Sequence, residues 1–126
     1  KEVHGFEVIV SAVEDATRNA VNNKIGNVKF HVANLDNYFK FSKGKKYPKP
    51  DIIVVDPPRA GMHKFMTDYL PKFEAKKIIY ISCNPTTQAR DTEVLIQKGY
   101  ELKRLTLVDM FPHTPHIETV GIFEKN

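Results

Sequence analysis

The only cysteine in the 126-residue chain, Cys83, lies in YISCNPTTQARD (80–91), directly after an apolar run and directly before Asn84-Pro85. Most lone cysteines are small buried hydrophobes. Here Asn84-Pro85 turns the chain, and Thr86 or Thr87 can cap a helix. A helix N-terminus favours the thiolate form of a nearby thiol. Position alone leaves both readings open, inert hydrophobe and nucleophile.

DPPRAG (56–61) is the second stretch with chemistry in it. Two prolines fix φ and stiffen the turn, and neither has a backbone N–H to offer. The turn therefore presents Asp56 as an acceptor, suited to the N–H edge of a base rather than to a phosphate. Arg59 can reach a phosphate or brace the loop. Glu7, inside the apolar run GFEVIV, is costly to bury without a partner. It either pairs with a cation on a sheet edge or accepts hydrogen bonds from ribose hydroxyls, as acidic residues at strand ends of nucleotide-binding α/β folds do. The chain has no G-x-G to form the glycine-rich turn that should precede such a residue. HTPHIE (113–118) brings His113, His116 and Glu118 together, but without the further ligands of a recognised zinc set, so no metal is expected. Glu118 reads instead as a base near the start of the last strand.

These residues need elements to hold them. HGFEVIV (4–10) reads as a buried strand. SAVEDATRNAVNNK (11–24) reads as a helix, with Ser11 as N-cap, Glu14 as its capping-box partner and Ala12, Ala16 and Ala20 on one face. GNVKFHVAN (26–34) alternates as a strand, and 35–41 reads as a short helix or turn. DIIVVD (51–56) and KKIIYIS (76–82) are continuous apolar runs, the mark of buried central strands. Residues 62–75 read as helical until Pro71, and 86–99 as a helix closed by Gly99. Residues 100–110 and 117–125 read as strands joined by a loop too short for a helical crossover, so they should pair antiparallel. The order predicts one α/β domain over 1–126, mostly parallel, with helices on both faces and an antiparallel C-terminal strand. Glu7, Asn34, Asp56 and Cys83 all fall at or near carboxyl ends of strands, where such sheets bind ligands.

The bulk properties fit. Apolar residues make up 41% and charged residues 27% of the chain, as in ordinary globular proteins. The apolar runs are far short of a membrane span. A single cysteine precludes an intramolecular disulfide and suits a reducing compartment, so a cytoplasmic location is expected. The net charge of +4 permits nucleic-acid binding without requiring it. Lys40, Lys43, Lys45, Lys46 and Lys49 cluster beside Phe41 and Tyr47, either as phosphate contacts or as a solvated loop. The first residues show neither a signal peptide nor an initiator Met, so the chain is expected to begin within a longer protein.

Three motifs, DPPRAG (56–61), YISCNPTTQARD (80–91) and HIETVGIFEK (116–125), resemble those of the S-adenosylmethionine-dependent RNA uracil-5-methyltransferases that make 5-methyluridine. The likeness runs from GFEVIVSAVEDA to the end of the chain. It implies a Rossmann-like sheet without the family's first strand and glycine-rich turn, S-adenosylmethionine as cofactor, and a tRNA or rRNA loop as substrate. Cys83 then matches the nucleophile, Glu118 the base, Glu7 the ribose-binding acid and Asn34 the position that approaches adenine. Asp56 lies between cofactor and target base, and Arg59 on the substrate side. The family's further uracil-contacting glutamine would lie N-terminal to this region. Strand edges left open by a missing first strand would favour self-association. Two rivals remain, an amino-methyltransferase that uses the Asp-Pro-Pro turn without a thiol, and an inert fragment or RNA-binding module.

Overall fold

The computed structural model of the protein describes residues 1–34 and 49–126. The element expected over 35–41 and all of the lysine cluster except Lys49 lie outside the described residues. The chain divides into two compact units, Lys1–Lys45 and Lys46–Asn126.

In the first unit, β1 (Val3–Glu7) and β2 (Val28–Val32) pair in parallel, in register from Val3 opposite Val28 to Glu7 opposite Val32. The crossover between them is α1 (Val10–Asn22), which turns the predicted stripe of Ala12, Ala16 and Ala20, together with Val13, inward. The start of α1 differs from expectation. Its N-cap is Ile9, with no side-chain cap bond, and Ser11 already lies inside the helix. The reason lies two residues before Ile9. Glu7 Oε1 accepts from the amides of both Val8 and Ile9, which turns the chain out of the strand and lets the helix begin ahead of Ser11.

The second unit contains β3 (Ile52–Val55), α2 (Lys64–Tyr69) running into a 3-10 turn (Leu70–Phe73), β4 (Lys77–Ser82), α3 (Pro85–Gln97), β5 (Tyr100–Val108) and β6 (Glu118–Lys125). The strands lie in the order β3-β4-β6-β5. β3 and β4 are parallel, and β6 runs antiparallel to both β4 and β5, as expected of the last two strands. The α3 crossover leaves a gap one strand wide between β4 and β5, and the C-terminal strand fills it. A one-residue bulge at Lys103 shifts the β5 register between Leu102 and Arg104.

Two helix starts also differ from the sequence reading. α2 begins at Lys64 rather than Met62, with His63 as N-cap, and Pro71 tightens its end into the 3-10 turn instead of simply breaking it. α3 is capped by Asn84, whose side chain accepts from Thr86 N at 3.2 Å, and not by Thr86 or Thr87. Pro85 fits the first helical position, where no N–H is required. Gly99 closes the helix at φ +89°.

Met62, Leu70, Ile78, Tyr80, Leu95, Tyr100 and Phe123 form the core, with Met66 packed against it. Each such side chain contributes roughly 1.5–3 kcal/mol on leaving water. α2 and α3 thus share one face of the sheet. Within this unit no described helix covers the opposite face, and Ile52 and Val54 on β3 are more than half exposed there.

Candidate active site

The register of the second unit assembles the site. Along the β4–β6 ladder the last pair is Ser82 opposite Thr119, and Thr119 Oγ1 donates to Ser82 O at 3.2 Å. One residue beyond that pair, Cys83 stands level with Glu118, the first residue of β6. Along β3–β4 the last pair is Val55 with Tyr80, so Asp56 leaves its strand beside the end of β4. Asp56, Cys83 and Glu118 line one cavity of about 360 Å³, walled by Ile81, Val108, Val120, Met110 and Phe111. Three residues separated by as many as 62 positions in sequence thus converge on one pocket. Its floor is apolar and its polar groups are two carboxyl side chains and a thiol.

Cys83 is half-buried and unpaired with any other cysteine. Just beyond it, Ser82 Oγ donates to Asn84 O at 3.0 Å and accepts from Asn84 N at 3.1 Å, locking the tight turn into α3. Arg59 reaches across to the approach of β6, donating from Nη1 to His116 Nδ1 at 3.3 Å. Both side chains are exposed. His113 sits in the loop between β5 and β6, where the sequence put it, at φ +69°. Among the described residues, no group of three or more His, Cys, Asp or Glu side chains is placed to hold a metal ion, and no helix is long and apolar enough to cross a membrane.

The other two expected residues belong to the first unit. Glu7 ends β1, and Ala33 N donates to Glu7 O at 2.9 Å. Asn34 therefore follows β2 at the same end of that two-stranded sheet, and both residues are exposed. Glu7 is thus exposed, and among the described residues no cation holds it. Its Oε1 is occupied by two backbone amides.

Sequence reasoning missed the polar side chains buried on the core-facing side of α3. Gln88 and Asp91 are buried on the same stripe of α3 as Leu95. Their spacing of three and four residues was the available signal, because it puts two polar side chains on a core-facing helical stripe.

The model of the tRNA (uracil-5-)-methyltransferase family matches residues 1–126. The chain belongs to that family. Relatives of this chain include an uncharacterized RNA methyltransferase of Chlorobaculum tepidum, 45% identical over 99% of this chain and 26% of that protein. A 23S rRNA (uracil(1939)-C(5))-methyltransferase of Histophilus somni is 42% identical over 100% of this chain and 28% of that protein. The crystal structure of the Pyrococcus abyssi tRNA (uracil-54, C5)-methyltransferase in complex with S-adenosyl-L-homocysteine superposes with a TM-score of 0.79 and 38% identity, over 97% of this chain and 28% of that one. This uracil-5-methyltransferase family chain thus spans about a quarter of the length of the curated relatives it matches. Its α/β architecture, with parallel ladders and an antiparallel C-terminal strand, is the Rossmann-like methyltransferase fold that the resemblance implied.

Proposed function

We propose that this chain is the catalytic segment of an enzyme that transfers a methyl group from S-adenosylmethionine to C5 of a uridine in RNA, through a covalent bond from Cys83 to C6 of the ring. The observation that carries the reading is the convergence of Cys83, Glu118 and Asp56 on one cavity, with Cys83 and Glu118 level across the β4–β6 ladder.

Uracil C5 is a poor nucleophile. Addition of the Cys83 thiolate to C6 turns the ring into an enolate, and its electron pair becomes available at C5. The cofactor supplies the methyl group as a sulfonium substituent. After transfer, C5 carries both a methyl group and a proton. Glu118 takes that proton, the pair from the C5–H bond restores the C5=C6 double bond, and the Cys83–C6 bond breaks to return the thiolate. Asp56 accepts from N3–H, a contact that cytosine cannot make because its N3 is itself an acceptor. Arg59, backed by His116, would meet a phosphate beside the target nucleotide. The base must leave its stack to enter the pocket, which is least costly in an RNA loop.

The residues of the first unit fit the adenosine part of the cofactor. Glu7 and Asn34 share one exposed sheet end, and Glu7 is already oriented by Val8 and Ile9. Glu7 would accept from the ribose hydroxyls, and Asn34 would meet the adenine edge.

Covalent trapping with RNA containing 5-fluorouracil tests the reading in the full-length enzyme carrying this chain. Fluorine at C5 cannot leave as a proton does, so the adduct persists. Cys83→Ala should abolish the adduct and lower methylation by at least about 10³-fold. An active Cys83→Ala enzyme would overturn the mechanism. Methylation without any adduct in the unmutated enzyme would favour an amino-methyltransferase instead.

A further inference from the structure

Asp91 is only 2% exposed. A buried carboxylate is expensive unless its oxygens are satisfied, and well-packed apolar residues often serve a core as well or better. The bonds of Asp91 show what this one does. Its Oδ2 accepts from Met62 N at 2.7 Å and from Tyr80 Oη at 2.7 Å. Its Oδ1 accepts from Arg90 Nε at 2.9 Å and Nη2 at 2.7 Å. Held this way, Arg90 Nη2 donates onward to Ala60 O at 3.1 Å and Met62 O at 3.4 Å. One turn earlier on α3, Asn84 Nδ2 and Thr87 Oγ1 both donate to Arg59 O, at 3.1 and 3.2 Å. The backbone of 59–62 is therefore gripped by the same helix that starts two residues after Cys83.

The grip is tight. Gly61 adopts φ +82°, and a Cβ there would come within 2.6 Å of Arg90 Nη2 and 2.8 Å of Asp91 Oδ2. Burial and the bond to Asp91 push the Tyr80 hydroxyl above its ordinary range, so it remains a donor at neutral pH.

We propose that Asp91, acting through Arg90 and Met62, is a positioning residue that locks the 56–62 turn to α3 and so fixes Asp56 relative to Cys83 around the pyrimidine. The proposal rests on the reading of Cys83 as nucleophile and Asp56 as the N3 acceptor. Misplacement of a reacting group by about 1 Å costs on the order of 10²-fold in rate. A charge buried merely for folding would show no such signature.

The test compares Asp91→Asn with Gln88→Ala in the full-length enzyme. Gln88 is also buried on α3, but its side-chain amide donates to Tyr80 O rather than to the backbone of 59–62. The measurements are the adduct-forming rate at saturating 5-fluorouracil RNA, the RNA Kd, the preference for uracil over cytosine, and the Tm. Asp91→Asn should slow adduct formation about 10- to 100-fold and erode the uracil preference while the RNA Kd stays near wild type. Gln88→Ala should lower Tm and leave rate and preference unchanged. Asp91→Asn behaving like Gln88→Ala would overturn the proposal. If Asp91→Asn does not fold, Thr87→Val and Arg90→Lys carry the same criteria, with a smaller loss of rate in the same direction. A wild-type enzyme that forms no adduct at all would instead remove the reading of Cys83 on which the proposal stands.

Discussion

Cys83 and Glu118 are level across a β-ladder, a neighbourhood that suits the complementary jobs proposed for them on adjacent ring atoms, addition at C6 and proton removal at C5. The two jobs separate under mutation. Glu118→Gln leaves addition and methyl transfer intact but stalls elimination, so a methylated protein–RNA adduct should accumulate with ordinary uridine RNA, visible as a slow-migrating band on a denaturing gel and as the expected mass increment. A Glu118→Gln enzyme that turns over at the wild-type rate without accumulating adduct would assign the base elsewhere. Of the site residues, those at strand tips were legible in sequence, because an apolar run ending on a polar residue marks both the strand and the place where it opens to ligand. Asp56, Cys83 and Asn34 fall where that pattern puts them, whereas Glu118 opens β6 and reaches the Cys83 end of β4 because the two strands are antiparallel. The grip of Arg90 and Asp91 was not legible. Arg90-Asp91 in a helix reads as a solvated pair, and only the long-range contacts to Ala60 and Met62, 28 to 30 positions away, give it another meaning.

The same distinction holds for the elements. Strand and helix identities followed from periodicity and from Gly and Pro punctuation. The helix starts did not, because each is decided by one side chain competing for backbone amides. Glu7 turns the chain through Val8 and Ile9 so that α1 starts ahead of Ser11, and Asn84 displaces the two threonines as the cap of α3. Nor did the strand order follow, since nothing local in β6 says that it inserts between β4 and β5. The turn between β3 and α2 is the element most sensitive to a single methyl group. Gly61→Ala adds a Cβ where φ is +82° and where Arg90, Asp91 and Thr87 all lie within 3.0 Å. Strain and displaced hydrogen bonds should together destabilise the protein by about 2–4 kcal/mol. Urea unfolding of the purified chain measures this, and a shift of midpoint smaller than that seen for Gly26→Ala, where a Cβ meets open space, would show that the turn is looser than its contacts imply.

At the scale of the molecule, the second unit's core is built around two buried tyrosines, and this sets an alkaline limit on stability. Burial raises the Tyr80 and Tyr100 hydroxyls above the ordinary value of 10.0, Tyr80 further through its bond to Asp91 and Tyr100 further through Glu74. Groups with raised folded-state values stabilise the fold fully below the unfolded value and cease to do so as the pH climbs past it toward the folded one. Tm should therefore be flat from about pH 7 to 9 and fall above about pH 10. Tyr80→Phe should lower Tm at neutral pH, by loss of the bond to Asp91, and flatten the alkaline decline. An unchanged decline in that variant would place its origin elsewhere. The insertion of β6 between β4 and β5 has a further consequence in the order of synthesis. Cys83 leaves the ribosome first, beside the strand edge of β4 that β6 will later cover, and Glu118 arrives only with that final strand. On the proposed mechanism, a chain interrupted between the two would carry the nucleophile without the base that releases it, so the cycle would close only on a polypeptide translated through β6.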